Sequence, residues 1–359
     1  MNRKLNFSGG PAALPQEVLD QASEAVKDYN GTGLSILELP HRGKEFATIL
    51  EESKALVKEL CNLNDDYEIL WLHGGGRLQF CMVPMNFLDK ESETPAGYID
   101  SGHWAEEALE YATHYGDVQI LTTSKENNYA TLPHWPENIP AQLAYVHYTT
   151  NNTIYGTQWH HTPKCNMPLI ADMSSDIFSC KRDYSRYAMF YAAAQKNLGV
   201  AGVALAAIHK DFLAQAKDDL PPMLSYKSQA KQNSILNTAN VFGIYTSLLM
   251  LRWTKQRGLE NIEAENRQKA KLLYDTLEHS KIFTPFVANP AHRSIQNVTF
   301  TAKDKETETA FLDMCNARNI TGIKGHRSVG GFRLSIYNAV TVNAVMELTG
   351  VMRQFENNS

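Results

Sequence analysis

Through most of its first 280 positions, the 359-residue chain alternates short apolar runs with segments of helical spacing. Apolar residues three and four apart predict a helix from Pro15 to about Tyr29. Asn30-Gly31 stops it, because both residues accept the backbone that ends helices. Ile49, Leu50, Leu56, Val57 and Leu60 mark a second helix. From Tyr67 onward EILWL, PAGYID, DVQILTT, LAYVHYTT, MPLIADMSS, AMFYAAA and GVALAAI read as strands, with the helical segment HWAEEALEYATHY among them. Apolar strands separated by crossovers predict an α/β class with a mainly parallel sheet covered on both faces. Val241 to Ser280 is helical with a break at Gly258. After it come strand QNVTFTA, helix KETETAFLDMCNARN, loop TGIKGHRSVGG, strand FRLSIYN and the closing helix TVNAVMELTGVMRQF, a two-layer α+β unit. The expected division is a large domain over 15–257 and a small one made of 1–14 and 258–359.

Residues 187–208, YAMFYAAAQKNLGVAGVALAAI, contain one charged side chain, Lys196. A lysine at the middle of a bilayer costs about 3 kcal/mol, and alanine offsets little of it, so two buried strands around a turn fit better than a membrane span. The lysine is then carried into an interior.

Composition narrows the function classes. With 43% hydrophobic and 20% charged residues the chain has material for two cores. A net charge of −5 and no basic run among aromatics argue against nucleic acid as a partner, so any anion site is local. Cys61, Cys81, Cys165, Cys180 and Cys315 form no CxxC pair and no zinc spacing, which predicts reduced thiols and no metal. The first residues lack the apolar stretch of a secretory signal, and the expected location is the cytoplasm.

Three features carry candidate chemistry. HGGGRLQF, residues 73–80, lies between a predicted strand and a predicted helix, where glycines let a ligand approach and free N–H groups favour phosphate. A tight turn without a ligand explains it equally well, and it is neither GxGxxG nor a P-loop. Asp172 ends MPLIAD, at the carboxyl end of a strand where open α/β sheets bind ligands; alone, it reads better as a helix cap. Lys196 ends the next strand, and the two ends can lie side by side. A carboxylate and a lysine converging in a dry site beside a phosphate turn match the needs of pyridoxal phosphate. The lysine forms its Schiff base, and the aspartate keeps the pyridine nitrogen protonated. His103-Trp104 opens a helix at another strand end, where Trp104 stacks on a ring or simply packs in the core. Thr153 offers a hydroxyl to a ligand or to its own turn. His-Arg pairs at His41-Arg42, His292-Arg293 and His326-Arg327, with Arg333 after the last, suit a doubly anionic substrate; His292-Arg293 lacks the glycine context and is set aside.

SGGPAALP, HRGKEF, HGGGRLQF, ADMSS, AQKN and KGHRSVGGFRLSIYN together resemble the phosphoserine aminotransferases, pyridoxal-phosphate enzymes of class V, over about Asn6 to Phe355. The resemblance implies the aspartate-aminotransferase-type fold (fold type I), with Lys196 as Schiff-base lysine and Asp172 as partner of the pyridine nitrogen. It implies that Trp104 stacks on the ring, Thr153 bonds the phenolic oxygen, and Gly76, Arg77 and Gln195 hold the phosphate. Asn237 and Thr238 join them from the other subunit of a homodimer. Arg42 and Arg333 bind substrate carboxylate; His41, with His326 and Arg327 of the partner subunit, surrounds the substrate phosphate. The chain departs from the family at Pro40, where a serine is common, and at Ala239-Asn240, where prolines are.

The implied reaction moves the amino group of L-glutamate to 3-phosphohydroxypyruvate, giving O-phospho-L-serine and 2-oxoglutarate in serine biosynthesis. 4-Phosphohydroxy-threonine, in vitamin B6 synthesis, is a second implied substrate. Rival readings are a cysteine desulfurase, a glyoxylate aminotransferase, or a module that binds a phosphorylated metabolite without chemistry. A desulfurase needs a reactive thiol on a mobile loop, whereas Cys315 lies in a predicted helix.

Overall fold

The structure is a computed structural model that describes residues 3–358. Strand β1 (Leu5–Asn6) precedes helices α1 (Gln16–Lys27) and α2 (Lys44–Cys61). Then come β2 (Tyr67–His73), α3 (Gly76–Phe87), β3 (Ala96–Asp100), α4 (His103–Ala112), β4 (Val118–Thr123) and β5 (Val146–Thr149). A small hairpin, β6 (Asn151–Asn152) and β7 (Thr157–Gln158), leads to β8 (Leu169–Asp172), β9 (Met189–Ala193) and β10 (Val203–His209). Short helices α5 (Lys210–Leu213) and α6 (Tyr226–Lys231) precede the long pair α7 (Val241–Arg257) and α8 (Leu259–Glu278). The remainder is β11 (Phe283–Pro285), β12 (Asn297–Ala302), α9 (Lys305–Ala317), β13 (Ile320–Thr321), β14 (Phe332–Ser335) and α10 (Val342–Asn357).

Seven strands form one sheet in the order β2-β10-β9-β8-β5-β3-β4. All pairs are parallel except those of β10, which is antiparallel to both neighbours. Every residue of β3, β5, β8 and β9 is buried, as the continuous apolar runs require of a sheet covered on both faces. One face packs on α2 and α7 through Phe46, Leu50, Val57 and Leu248, the other on α3 and α4 through Phe80, Val83 and Ala108. The apolar stretch around Lys196 is the β9–β10 hairpin, and no helix among the described residues is long and apolar enough to cross a membrane.

A second core gathers Phe7, Leu273, Phe283, Phe300, Phe311, Phe332 and Leu348 around the antiparallel sheet β11-β12-β14. The chain start joins it, because β1 pairs in parallel with β13, Leu5 opposite Ile320. Lys269 of α8 fastens this unit from inside: its buried ammonium donates to the carbonyls of Ile336, Tyr337 and Val340 at 2.8, 2.8 and 2.9 Å.

Candidate active site

Five parallel strands bring their carboxyl ends to one edge of the large sheet, and each passes a predicted residue to the same place. After β2 the chain turns at Gly74, whose φ of +88° suits glycine, and enters α3 at Gly76. Gly75 precedes this 12-residue helix and supplies no side-chain cap; the Leu78 and Gln79 N–H groups donate to its carbonyl, and those of Gly76 and Arg77 are left for an anion. After β3, Gly102 makes room for Asn152, whose Oδ1 lies 2.9 Å from where a Cβ would stand, and α4 opens with His103 and Trp104. Thr153 follows β5 and β6, and the Trp104 indole N–H donates to its hydroxyl at 2.9 Å. This bond sets the indole plane and engages the hydroxyl expected to reach a ligand.

Asp172 ends β8 and pairs in register with Tyr191 of the parallel strand β9, which continues into Gln195 and Lys196. The neighbouring strand ends thus stand side by side, as the spacing predicted. Asp172 is 6% exposed, and the Ser174 N–H donates to its Oδ1 at 2.8 Å. The local cap and the site carboxylate are therefore the same group. Burial raises its pKa, countered chiefly by the Lys196 charge. Lys196 departs from the expectation of a lysine carried into an interior: the strands around it are buried, yet its side chain is half-buried and borders open space. Asn197, next in the chain and 2% exposed, secures this turn. Its Oδ1 accepts from Asn338 N–H at 3.0 Å, and its amide reaches the Ser175 and Ile177 carbonyls at 3.3 Å.

A cavity of about 450 Å³ fills the convergence point and is lined by Gly76, Arg77, Trp104, Thr153, Asp172, Gln195, Lys196, His326 and Arg333. The Arg77 guanidinium is held by Glu107 at 2.7 and 3.3 Å and lies 5.4 Å from the centre of the Trp104 ring. Its side chain is thus paired, and its backbone N–H stays at the helix start. Arg333 comes from β14 of the second unit. Its Nε is buried without a partner among the described residues, and Gly9 packs so closely that a Cβ there would meet its Nη2 at 2.6 Å. His326, implied to come from the partner subunit, lines the cavity of its own chain; burial, Arg333, His103 and Arg327 push its pKa down.

Other expected residues stand apart from this cavity. His41, Arg42, Asn237, Thr238 and Arg327 do not line it. Arg42 and Thr238 are exposed, and His41 Nε2 is buried without a partner among the described residues. Asn240, where the family often has proline, caps α7 by accepting from Gly243 N–H at 2.9 Å. Arg293, set aside from the sequence, is 9% exposed, paired with Glu278 at 2.5 Å and packed over Tyr274 at 4.6 Å. Conversely, Gly9, Gly10, Phe80, Ser174 and Ala193 line the cavity unpredicted. The double glycine of SGGP was the available signal; Phe80 and Ala193 carry none, being ordinary apolar residues brought there by the fold.

The residues present fit pyridoxal phosphate. A buried carboxylate faces the cavity where a pyridinium would offset its desolvation, an amine borders the same space, and an uncapped helix start can take the phosphate.

The family described as aminotransferase class-V matches residues 4–348. A phosphoserine aminotransferase of Bacillus cereus is 43% identical over 359 residues, 99% of each chain. The solved phosphoserine aminotransferase used to follow radiation damage of its Schiff base superposes with a TM-score of 0.96 at 40% identity over 100% of both chains. Pyridoxal-phosphate-bound phosphoserine aminotransferase from Trichomonas vaginalis gives 0.92 at 31% identity, over 98% of this chain and 100% of that one. With the site built on five strand ends and the likeness spanning the whole chain, this protein belongs to the class-V aminotransferase family and is an aminotransferase.

Proposed function

We propose that the chain binds pyridoxal phosphate and transfers the amino group of L-glutamate to 3-phosphohydroxypyruvate, forming O-phospho-L-serine and 2-oxoglutarate. The observation that carries this reading is the meeting of Lys196 and Asp172 beside an uncapped helix start, in a cavity closed by Arg333 and His326. When bound, the cofactor supplies an aldehyde for exchange with amines and a ring that delocalises the electrons left when a substrate Cα loses its proton.

The chain's residues do the remaining work. Lys196 Nζ would hold the cofactor through its aldehyde and would carry the proton that the substrate Cα gives up. Asp172 keeps a proton on the ring nitrogen, which its low exposure favours because an ion pair there is poorly screened. The N–H groups of Gly76 and Arg77, with Gln195, would hold the phosphate, and Trp104, oriented by its bond to Thr153, would stack on the ring. Arg333 takes the substrate carboxylate, its unpaired Nε supporting that role. His41, Arg42, His326 and Arg327 are assigned to the distal anion, a carboxylate in one half-reaction and a phosphate in the other. Asn237 and Thr238, exposed or half-buried away from the cavity, are assigned to the site of a second copy in a homodimer. The large unit is taken as 15–257 and the small as 1–14 with 258–359. 4-Phosphohydroxy-L-threonine is assigned as a further substrate on the same chemistry.

The desulfurase reading is disfavoured: none of the five cysteines lines the cavity, and Cys315 is buried in α9, where burial pushes its thiol up to about 12. Two measurements test the proposal. Purified protein given pyridoxal phosphate is expected to absorb visible light, with borohydride fixing the cofactor to Lys196; a colourless protein points to a binding module. Rates with phosphorylated and unphosphorylated keto acids are expected to differ strongly, and equal rates on both refute the substrate assignment.

A further inference from the structure

His103 has no part in the assignment above, yet it stands where the distal anion is placed. It is the first residue of α4, its ring centre 5.0 Å from that of Trp104 and 6.0 Å from that of His326, the two imidazoles tilted by 36°. Trp104 and His326 both line the cavity, and His103, with a side chain 38% exposed, stands beside both without itself lining it. The charged groups around the pair are Glu107 on the same helix, Arg77 on α3, and Arg327 and Arg333 beside His326. Glu107 is committed to Arg77 and lies 3.8 Å from His103 Nε2, beyond hydrogen-bond reach. The α4 start carries no side-chain cap, which adds a further attraction for an anion.

His326, with a second imidazole at this spacing and the Arg327 and Arg333 guanidinium groups beside it, resists carrying a charge. Burial and its cationic neighbours already hold His326 below the ordinary histidine value. A dianion between the rings reverses the sign of the interaction, so its arrival draws in a proton. A carboxylate, with one charge, draws it less.

We propose that His103 is a specificity-determining residue: with His326 it forms an imidazole pair at the cavity rim that gains a proton when a phosphate dianion binds, favouring phosphorylated substrates over the dicarboxylate that uses the same space. This rests on the functional reading above. The preference falls as pH rises, because the imidazoles of the bound state then lose their protons. Below about pH 6 the phosphate itself becomes a monoanion, which sets the lower limit.

The test uses the cofactor-loaded enzyme and follows the two half-reactions separately by the cofactor's absorbance, with O-phospho-L-serine and with L-glutamate, between pH 6.5 and 8.5. In His103→Asn the saturation constant for O-phospho-L-serine is expected to rise about tenfold, near the worth of one charge-assisted hydrogen bond, and that for glutamate about threefold or less. The pH dependence of their ratio flattens. His103→Lys, whose charge is constant over this range, keeps the preference for phosphate while losing the pH dependence. Equal losses on both substrates, an unchanged ratio, or a variant that no longer holds its cofactor overturn the role of His103. A wild-type enzyme indifferent to the phosphate group overturns the functional reading instead, and is told apart because it needs no variant.

Discussion

At the scale of single residues, the site is governed by what burial does to charge. Asp172 is disfavoured as a carboxylate because its surroundings exclude water, and Lys196 restores part of what is lost. Its pKa is raised in the folded chain, so the stability it contributes is full below the unfolded value, about 4, and is lost as pH rises through the folded one. Asp172→Asn removes that titration. In cofactor-free protein the variant's melting temperature is expected to exceed the wild type's at pH 8 by more than at pH 5, while transamination falls at least about a hundredfold. A gap in melting temperature that ignores pH contradicts the sign. Arg333 poses a steric question. Gly9 gives the guanidinium room that a methyl group would take, 2.6 Å from Nη2. Gly9→Ala is expected to displace the flexible end of the arginine, raising the KM for glutamate about tenfold with stability nearly unchanged. An unaltered KM alongside an intact melting curve removes Arg333 from substrate binding.

At the scale of elements, the β9–β10 hairpin shows how far periodicity reaches. Its two apolar runs identify buried strands, and Asp172 and Lys196 could be placed at adjacent strand ends from their positions in the text alone. Asn197 was not legible as an anchor, because its partners Ser175, Ile177 and Asn338 come from segments up to 141 residues away. Its side chain nevertheless ties the lysine's turn to both units. Asn197→Ala is expected to cost about 2–4 kcal/mol, since it strands buried carbonyls and an N–H, and to weaken cofactor retention. Urea unfolding and dialysis of the loaded enzyme measure the two effects; a variant with the wild-type midpoint shows the anchor to be dispensable. The same limit explains Thr153. Its bond to Trp104 spans 49 residues, so the sequence gives a hydroxyl and an indole but not their meeting.

At the scale of the molecule, one chain supplies the cavity floor and Arg333, while His41, Arg42, Asn237 and Thr238 stand outside it. If a second copy brings Arg42 to the site, chains carrying Lys196→Ala and chains carrying Arg42→Ala complement each other. Mixed and allowed to exchange, two nearly inactive proteins are expected to recover about a quarter of wild-type activity, because half the dimers are hybrids with one intact site of two. No recovery after exchange, verified by mass, assigns Arg42 elsewhere. The sequence by itself determined most of the element order, the mainly parallel sheet covered on both faces, and the placing of Asp172 and Lys196 at neighbouring strand ends. These follow from local spacing, because burial on one face or two writes a period of 3.6 or an unbroken run into the chain. Tertiary structure alone decided that Glu107 holds Arg77, that Gly9 shelters Arg333, and that His103 faces His326 across 223 positions. Such contacts depend on how distant strands are stacked, and a side chain's type carries no record of the neighbour that stacking will bring.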